Sequence, residues 1–321
     1  MRLSAIGDVV HTLPVLPPLR RAGHQVSWLV EPAARELLEG HPMLDLVVVA
    51  PPAKRFSLAQ ARSTRQALRA GGFDVALDLQ GLWKSAAWSR LAGARRTAGH
   101  ETRARREPLS RLLLHEAVAV PKEAVHVIDK NLSLLRAVGV EAMGAREFPL
   151  PPLVDPAAAD TRDFALLNPG GGWAGKLWPA ESFGALARHL RERGLTSKVA
   201  WGPGERGLAE RVAAASGGAA ELAPPTTLLQ LTALARRARL VVAADTGPLH
   251  LACAVGAPVV ALFGPTDPAR NGPFSPRDVV VRRIPPCAPC YRRGCVVHAD
   301  VMATIAVGDV ARAADERLAR G

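Results

Sequence analysis

Short apolar runs alternate with longer amphipathic segments along most of the chain. Runs bounded by glycine, proline or acidic residues are typical of buried strands in parallel sheets, and the segments between them have the spacing of amphipathic helices. The predicted strands cover residues 26–30, 44–49, 74–79, 164–168, 197–201, 219–223, 240–244 and 258–263. This alternation predicts βαβ units and therefore an α/β fold.

A proline-rich segment, Pro149 to Pro156, interrupts the alternation near the middle of the chain. Its sequence, P-L-P-P-L-V-D-P, predicts a stiff linker. A chain of 321 residues suits two domains of about 150 residues better than one. We therefore predict an N-terminal domain of residues 1–150 and a C-terminal domain of residues 151–321. A last helix, predicted for residues 307–320, is a candidate to pack back on the N-terminal half.

The stretch from Leu240 to Pro268 predicts strand, loop, helix and strand in succession. Its loop, Asp245-Thr246-Gly247, lies between the strand at 240–244 and a helix predicted to start at Pro248. Ligands of parallel sheets bind at the carboxyl ends of the strands, and a helix N-terminus favours an anion such as phosphate. The alternative is that Asp245 or Thr246 only caps the helix.

A glycine-rich loop, P-G-G-G-W-A-G-K-L-W-P, follows the strand at 164–168. It fits G-x-x-x-x-G-K, but Leu177 stands where a P-loop needs a magnesium-binding Ser or Thr. It also fits G-x-G-x-x-G, but Glu205 follows Gly175 by 30 residues (205 − 175) instead of the about 20 of a dinucleotide site. Both nucleotide motifs are therefore disfavoured.

The net charge is +12, and most of the excess lies between Lys54 and Arg136. A basic surface suggests an acidic partner: phosphate, carboxylate, anionic membrane or nucleic acid. The alternative is that the arginines only form the solvent-exposed faces of helices. This segment has few aromatic residues and no nucleic-acid-binding motif, which disfavours nucleic acid. The sequence has no apolar run long enough to span a membrane and no signal peptide, so we predict a cytoplasmic protein.

Three cysteines and a histidine near the C-terminus, Cys287, Cys290, Cys295 and His298, have the spacing C-x2-C-x4-C-x2-H. Four such ligands suit zinc, but the spacing matches no standard zinc or iron–sulfur frame. Reduced structural thiols are the alternative, and the pattern leaves the choice open. Cys253 lies in the helix after Asp245 and is predicted to be a core residue.

The string D-T-G-P-L-H-L-A-C-A-V-G-A-P-V-V-A-L-F-G-P-T-D-P closely resembles the signature of the family 9 glycosyltransferases, the bacterial heptosyltransferases. The resemblance extends over nearly the whole chain. It is greatest to the subset that adds the first heptose to an acidic sugar. The further matching motifs are R-L-S-A-I-G-D at 2–8, Q-G-L-W-K-S-A at 80–86, R-E-P-L at 106–109, K-L-W-P at 176–179 and W-G at 201–202.

The resemblance implies the GT-B architecture, in which two Rossmann-like domains face each other across a cleft. The N-terminal domain is then expected to bind the acceptor and the C-terminal domain the nucleotide sugar. The implied reaction is inverting transfer of a heptose from ADP-heptose to an acidic sugar of the lipopolysaccharide core. The sequence contains no D-x-D motif, so we expect neither a metal at the diphosphate nor any other cofactor. The expected partners are the nucleotide sugar, an acidic glycolipid and the inner face of the membrane.

The resemblance also implies roles for individual residues. Asp8 is expected to be the general base and Lys176 the counter-charge of the leaving diphosphate. Helix capping is the alternative role of Asp8, and a salt bridge to the turn at Glu107 is that of Arg106. The donor-binding candidates are Glu205, Asp245, Thr246, Gly247 and His250, and the acceptor-binding candidates are Lys54, Arg55, Lys84 and Arg106.

The start of the chain departs from the family pattern. Family members have an apolar strand before the R-x-S-x-x-G-D motif, whereas only Met1 precedes Arg2 here. We expect either a short stub at the centre of the sheet or a true start further upstream. Two other functions are compatible with the sequence: a non-catalytic nucleotide-sugar-binding protein and, less well supported, an NAD-dependent oxidoreductase.

Overall fold

The computed structural model describes residues 1–52, 57–157, 159–292, 295–298 and 300–321, with only the backbone of His298. The chain divides into two compact units, Met1–Pro151 and Pro152–Gly321. Each unit is an α/β structure with parallel strands.

The strands are β1 (Ser27–Val30), β2 (Leu46–Val49), β3 (Val75–Asp78), β4 (Arg96–His100), β5 (Glu116–Val118), β6 (Phe164–Asn168), β7 (Thr196–Val199), β8 (Ala220–Leu222), β9 (Leu240–Ala244), β10 (Val259–Phe263) and β11 (Val279–Arg282). The α-helices are α1 (Ile6–Val10), α2 (Leu16–Arg21), α3 (Leu58–Ala70), α4 (Trp83–Leu91), α5 (Val127–Ser133), α6 (Ala180–Glu192), α7 (Arg206–Ala215), α8 (Leu228–Arg237), α9 (Gly247–Ala254), α10 (Pro268–Asn271) and α11 (Val307–Ala319).

A three-residue stub completes the sheet of the first unit. Strands β1 and β2 pair with each other, and β3, β4 and β5 form a second ladder. Residues Met1–Leu3 lie between the two: the amino group of Met1 donates to Leu77 O (2.8 Å), and Glu31 N–H donates to Leu3 O (3.0 Å). The stub that the sequence led us to expect is therefore present, and it connects the two ladders through backbone hydrogen bonds.

The second unit contains a six-stranded parallel sheet in the order β11-β10-β9-β6-β7-β8. Its central strands β6, β9 and β10 are buried along their whole length. This is expected of strands covered by helices on both faces, and it explains why their sequences are continuous apolar runs. The carboxyl ends of β6 and β9 lie side by side because these strands pair directly in parallel register.

The last helix packs within its own unit. Helix α11 contacts α6 and strands β9, β10 and β11, and its buried face includes Val310, Ala313 and Ala314. Trp178, after the glycine-rich loop, donates its indole N–H to Ile305 O (3.0 Å), just before the helix. The apolar face of this helix is therefore used by the adjacent sheet of its own unit, and its packing on the N-terminal half stays a prediction.

Two further local features concern the helices of the first unit. The segment around Pro14 is broken into α1, a 3₁₀ turn at Leu13–Val15 and α2, because a proline inside a helix disrupts its hydrogen bonds. Helix α4 was not predicted, because the Q-G-L-W-K-S-A segment was interpreted only as a motif. Within the described residues, no helix combines the length and apolar character needed to cross a membrane.

Candidate active site

A buried carboxylate, that of Asp245, lies at the carboxyl end of β9 in the second unit. Two elements bring basic side chains to it. Lys176 comes from the glycine-rich loop after β6, and its Nζ lies 2.6 Å from Asp245 Oδ2 and 2.6 Å from the backbone oxygen of Asp245. His250 lies one turn into α9, with its Nε2 3.3 Å from Asp245 Oδ1. The structure therefore brings together three of the predicted site residues.

Two further side chains complete the surroundings of this carboxylate. The Thr266 hydroxyl donates to Asp245 Oδ2 at 2.7 Å, and the Asn271 amide donates to Oδ1. With Lys176 and His250, the carboxylate has four side-chain donors. An ionised carboxylate offers about four lone-pair positions, so residues of this chain already use its capacity.

These contacts determine the charge of Asp245. Burial by itself would raise the pKa of Asp245, but the hydrogen bond from His250 and the positive charge of Lys176 hold that pKa well below its ordinary value. Asp245 is therefore ionised at neutral pH, and it compensates the charge of a lysine whose side chain is only 16% exposed. The ammonium group has three donors, so Lys176 can contact both Asp245 and a ligand oxygen.

Thr246 and Gly247 form the start of α9, as predicted, with Thr246 at the N-cap and Gly247 as the first helical residue. The Thr246 hydroxyl donates to Ala244 O at 3.1 Å instead of capping the helix. The first-turn N–H groups of a helix have no intrahelical acceptor, and with the helix dipole they favour a phosphate. The loop thus has the geometry for binding an anion beside Lys176.

The glycine-rich loop contacts two other predicted donor-site residues. The Glu205 carboxylate accepts the N–H of Gly202 at 3.0 Å and lies against Gly170, where a Cβ would collide with it. A Cβ on Gly171 would lie 3.7 Å from the Thr246 side chain. Glu205 and Thr246 therefore lie on either side of one short backbone segment, and glycine is required at Gly170 for this close approach.

The first unit contains a second group of polar residues, around Asp8. Asp8 lies in the first turn of α1, and its Oδ2 accepts the N–H of Ala5 at 3.2 Å. The Arg2 guanidinium lies 2.6 Å from Asp8 Oδ1 and also donates to Leu79 O. The Asp8 side chain is 41% exposed, whereas that of Arg2 is buried. Arg2 therefore orients a carboxylate that solvent reaches.

One predicted acceptor residue of this unit, Lys84, contacts the same motif. Lys84 Nζ lies 2.7 Å from Glu31 Oε1 and 3.1 Å from Ser4 Oγ, which places it beside the R-L-S-A-I-G-D segment. The R-E-P-L segment is attached to the loop before Lys84, because Glu107 N–H donates to Gly81 O (3.1 Å) and the Glu107 carboxylate accepts Trp83 N–H. Arg106 is exposed. Within the described part of the chain it forms no salt bridge to the turn at Glu107, which was the alternative role. Lys54 and Arg55 lie outside the described residues.

Sequence reasoning missed several residues that shape these groups. Thr266 stands inside the G-P-T-D-P part of the matched signature, so a signal for it was present. Asn271 has no local signal. Arg105 was overlooked beside Arg106, yet its guanidinium forms a fully buried ion pair with Asp78 at the end of β3. That pair holds the R-E-P-L segment against the sheet.

The chain resembles characterised enzymes over most of its length. It is 33% identical to lipopolysaccharide heptosyltransferase 1 of Pseudomonas aeruginosa over 314 residues, covering 92% of this chain and 86% of the relative. It is 30% identical to lipopolysaccharide heptosyltransferase 1 of Escherichia coli K12, covering 88% of this chain and 92% of the relative.

Solved structures agree with these relatives. The E. coli heptosyltransferase WaaC with ADP superposes with a TM-score of 0.80 at 26% identity, over 98% of both chains. E. coli ADP-heptose lps heptosyltransferase II superposes with a TM-score of 0.74 at 20% identity, which supports the fold. The α/β GT-B class is thereby confirmed. The model of glycosyltransferase family 9 (heptosyltransferase) matches residues 61–299, and the chain is a glycosyltransferase of that family.

Proposed function

We propose that this enzyme transfers a heptose from ADP-heptose to an acidic sugar of the lipopolysaccharide core, with inversion at the anomeric carbon. The observation that carries the proposal is the buried Lys176–Asp245 pair beside the start of α9. It provides a fixed positive charge at the carboxyl ends of parallel strands, where an α/β unit would bind an ADP-sugar. Relatives named lipopolysaccharide heptosyltransferase 1, and a related structure with ADP-2-deoxy-2-fluoro heptose, support the choice of substrates.

On the donor side, the diphosphate binds at the start of α9, where the N–H of Gly247 and the helix dipole meet its negative charge. Lys176 donates to the phosphate oxygen that gains charge as the bond to the sugar breaks. Asp245 acts by holding Lys176 and His250 in place, since its own acceptor positions are used by protein donors. Glu205 is positioned by Gly202 to accept from a ribose hydroxyl.

On the acceptor side, Asp8 acts as the general base. The acceptor hydroxyl oxygen attacks the anomeric carbon from the face opposite the diphosphate, and its proton passes to the Asp8 carboxylate. The bond between the anomeric carbon and the phosphate oxygen breaks, and its electron pair leaves with ADP. Arg2 fixes the orientation of the Asp8 carboxylate before the proton arrives. General bases of this type contribute about 10²–10⁴-fold.

We further propose that the transfer needs no divalent metal at the diphosphate. The sequence contains no D-x-D motif. In addition, the Asp245 carboxylate is engaged by Lys176, so a cation bound to it would first have to displace the ammonium group. Lys176 and the helix N-terminus together supply the positive charge that a metal supplies in other transferases.

The acceptor is an amphiphile, and the first unit has a surface that suits it. Arg62, Arg65 and Arg69 are exposed at helical spacing on α3, and Arg106 is exposed in the R-E-P-L segment. Anionic headgroups attract such basic groups by about 1 kcal/mol each near a membrane. We therefore expect the enzyme to work in the cytoplasm, in peripheral contact with the inner face of the membrane. Arg106, which is exposed, is the residue that we expect to pair with the acidic sugar.

A donor screen followed by turnover tests the proposal. ADP-, UDP- and GDP-sugars are compared by thermal shift, and ADP-heptose is then incubated with a lipopolysaccharide precursor that ends in an acidic sugar. We expect selective stabilisation by ADP-sugars and a product one heptose heavier, with inverted anomeric configuration by NMR. Binding without turnover would instead support a non-catalytic nucleotide-sugar-binding protein, and reduction of NAD would support an oxidoreductase.

A further inference from the structure

Three thiols converge near the C-terminus of the second unit. The Sγ atoms of Cys287, Cys290 and Cys295 all lie within 4.8 Å of one another. Cys290 is buried, and the other two are half-buried. In a tetrahedral zinc site, with Zn–S distances of about 2.3 Å, the sulfur atoms are about 3.8 Å apart. The three thiols are therefore close to the spacing that a shared metal ion requires.

The surrounding segment has little else to define its fold. Between Cys287 and Cys295 the described residues form neither helix nor strand, and a single 3₁₀ turn follows at Val296–His298. The apolar residues of that turn do not contribute a core, since Val296 is 87% exposed and Val297 57% exposed. Small segments without a core are commonly held by disulfides or metals. Here the cysteines form no disulfide and are therefore present as thiols.

The sulfur ligand atoms favour particular metal ions. Thiolates are soft ligands that prefer zinc and iron–sulfur centres, and C-x2-C is a common half of a zinc site. The side chain of His298, the fourth residue of the predicted set, lies outside the described atoms. Three thiolates supply three of the four ligands of a tetrahedral zinc site of the structural kind.

The cysteine loop, which contains Cys287, Cys290 and Cys295, lies against the loop that follows β10 and contacts Asp245. Cys290 N–H donates to Pro265 O at 2.9 Å, and Thr266, the next residue, donates its hydroxyl to Asp245. Arg270 lies over the ring of Tyr291, 4.9 Å from its centroid. The cysteine loop therefore supports the backbone that places Thr266.

We propose that Cys287, Cys290 and Cys295 bind a structural zinc ion that fixes the cysteine loop against Pro265 and thereby positions Thr266 beside Asp245. The zinc site stands on the thiol geometry alone. Its effect on donor binding rests on the proposed function, so the two are tested with different measurements.

Metal content tests the site directly. Full-length protein is purified under reducing conditions, loaded with zinc and freed of unbound metal, and its zinc is measured by mass spectrometry. We expect about one equivalent per chain in the wild type and in the control Cys253→Ala, whose cysteine lies on α9 outside the cluster. Cys290→Ser and Cys295→Ser should each lose most of it. Cobalt(II) should give an intense thiolate-to-metal absorption in the wild type and a weaker one in either variant.

A second measurement follows the consequence for the loop. Removal of zinc should increase amide hydrogen exchange at residues 264–270, while the buried strand β6, two strands away from β10, keeps its protection. Three results would overturn the proposal. They are zinc content equal in the wild type and cluster variants, a disulfide among the three cysteines in place of metal under reducing purification, and unchanged exchange at 264–270 after zinc removal. Loss of ADP-heptose transfer without loss of zinc would contradict only the proposed function.

Discussion

The ammonium nitrogen of Lys176 lies 2.6 Å from a carboxylate oxygen of Asp245, in side chains that are 16% and 4% exposed. Lys176 lies in the loop after β6 and Asp245 directly follows β9, two strands that pair directly in the sheet. Each charge is tolerated in this buried position because the other is present. The pair therefore stabilises the second unit and also holds in place the positive charge that we assign to donor binding.

This coupling predicts a non-additive pair of substitutions. Asp245→Asn should destabilise the protein by about 3–5 kcal/mol, because it leaves a buried ammonium without its counter-charge. Adding Lys176→Met should recover a large part of that loss but should not recover transfer. Urea unfolding of the two single variants and the double variant measures the coupling. Additive effects on the free energy of unfolding would show that the pair is not energetically linked.

The lowered pKa of Asp245 also predicts that the protein loses stability in acid. Its pKa in the folded protein is held well below the ordinary value, so the unfolded chain takes up a proton first. The stabilisation is therefore present above the unfolded pKa of about 3.9 and is lost as the pH falls toward the folded value. The stability difference between the wild type and the Lys176→Met/Asp245→Asn variant should shrink between about pH 5 and pH 2. A stability difference between these two proteins that grows on acidification would contradict this explanation.

Asp8→Asn should abolish most of the transfer and leave the affinity for ADP nearly unchanged. The general base lies in the first unit, and removing it should cost about 10²–10⁴-fold in turnover. The matched control is Asp74→Asn, which removes a carboxylate of an exposed ion pair in the same unit. Steady-state kinetics and calorimetry with ADP provide the two readouts. A variant that keeps more than about a third of the wild-type rate would remove Asp8 from the mechanism.

Transfer should continue in magnesium-free buffer that contains EDTA, because Lys176 and α9 supply the charge that stabilises ADP. Initial rates with and without EDTA test this. An activity lost on chelation and restored by magnesium would contradict the metal-free mechanism. One restored by zinc and not by magnesium would point to the cysteine loop instead.

Arg106→Ala should raise the KM for the acceptor about tenfold or more and leave the KM for ADP-heptose unchanged, since a charge-assisted bidentate contact contributes about 1.5–3 kcal/mol. Arg106→Lys should recover only part of the affinity, because an ammonium cannot make the bidentate contact. Arg103→Ala is the control, because Arg103 is also exposed in the same loop. Equal effects of the Arg103 and Arg106 substitutions would indicate a general loss of positive charge.

The sequence by itself determined the α/β class and the local shape of the donor loop. Strands β6 and β9 were predicted with their observed bounds, because strands buried on both faces require continuous apolar residues. The cap of α8 is equally local, since the hydroxyl of Thr227, a residue type favoured at N-caps, accepts Gln230 N–H at 3.3 Å. The start of α9 at Gly247 was within one residue of the expected position. Each of these features depends on hydrogen bonds and burial patterns within a few residues.

Only the tertiary structure decided which side chains share a site. Lys176 was predicted to face a diphosphate, and the fold shows that it first binds Asp245, 69 positions away along the chain. Thr266 and Asn271 reach the same carboxylate from beyond β10, and Arg2 reaches Asp8 with support from the end of β3. These contacts depend on the order in which strands pair in the sheet. Hydrophobic periodicity specifies that a strand is buried, but it does not specify its neighbour, so the charge partners at the strand ends emerge only on folding.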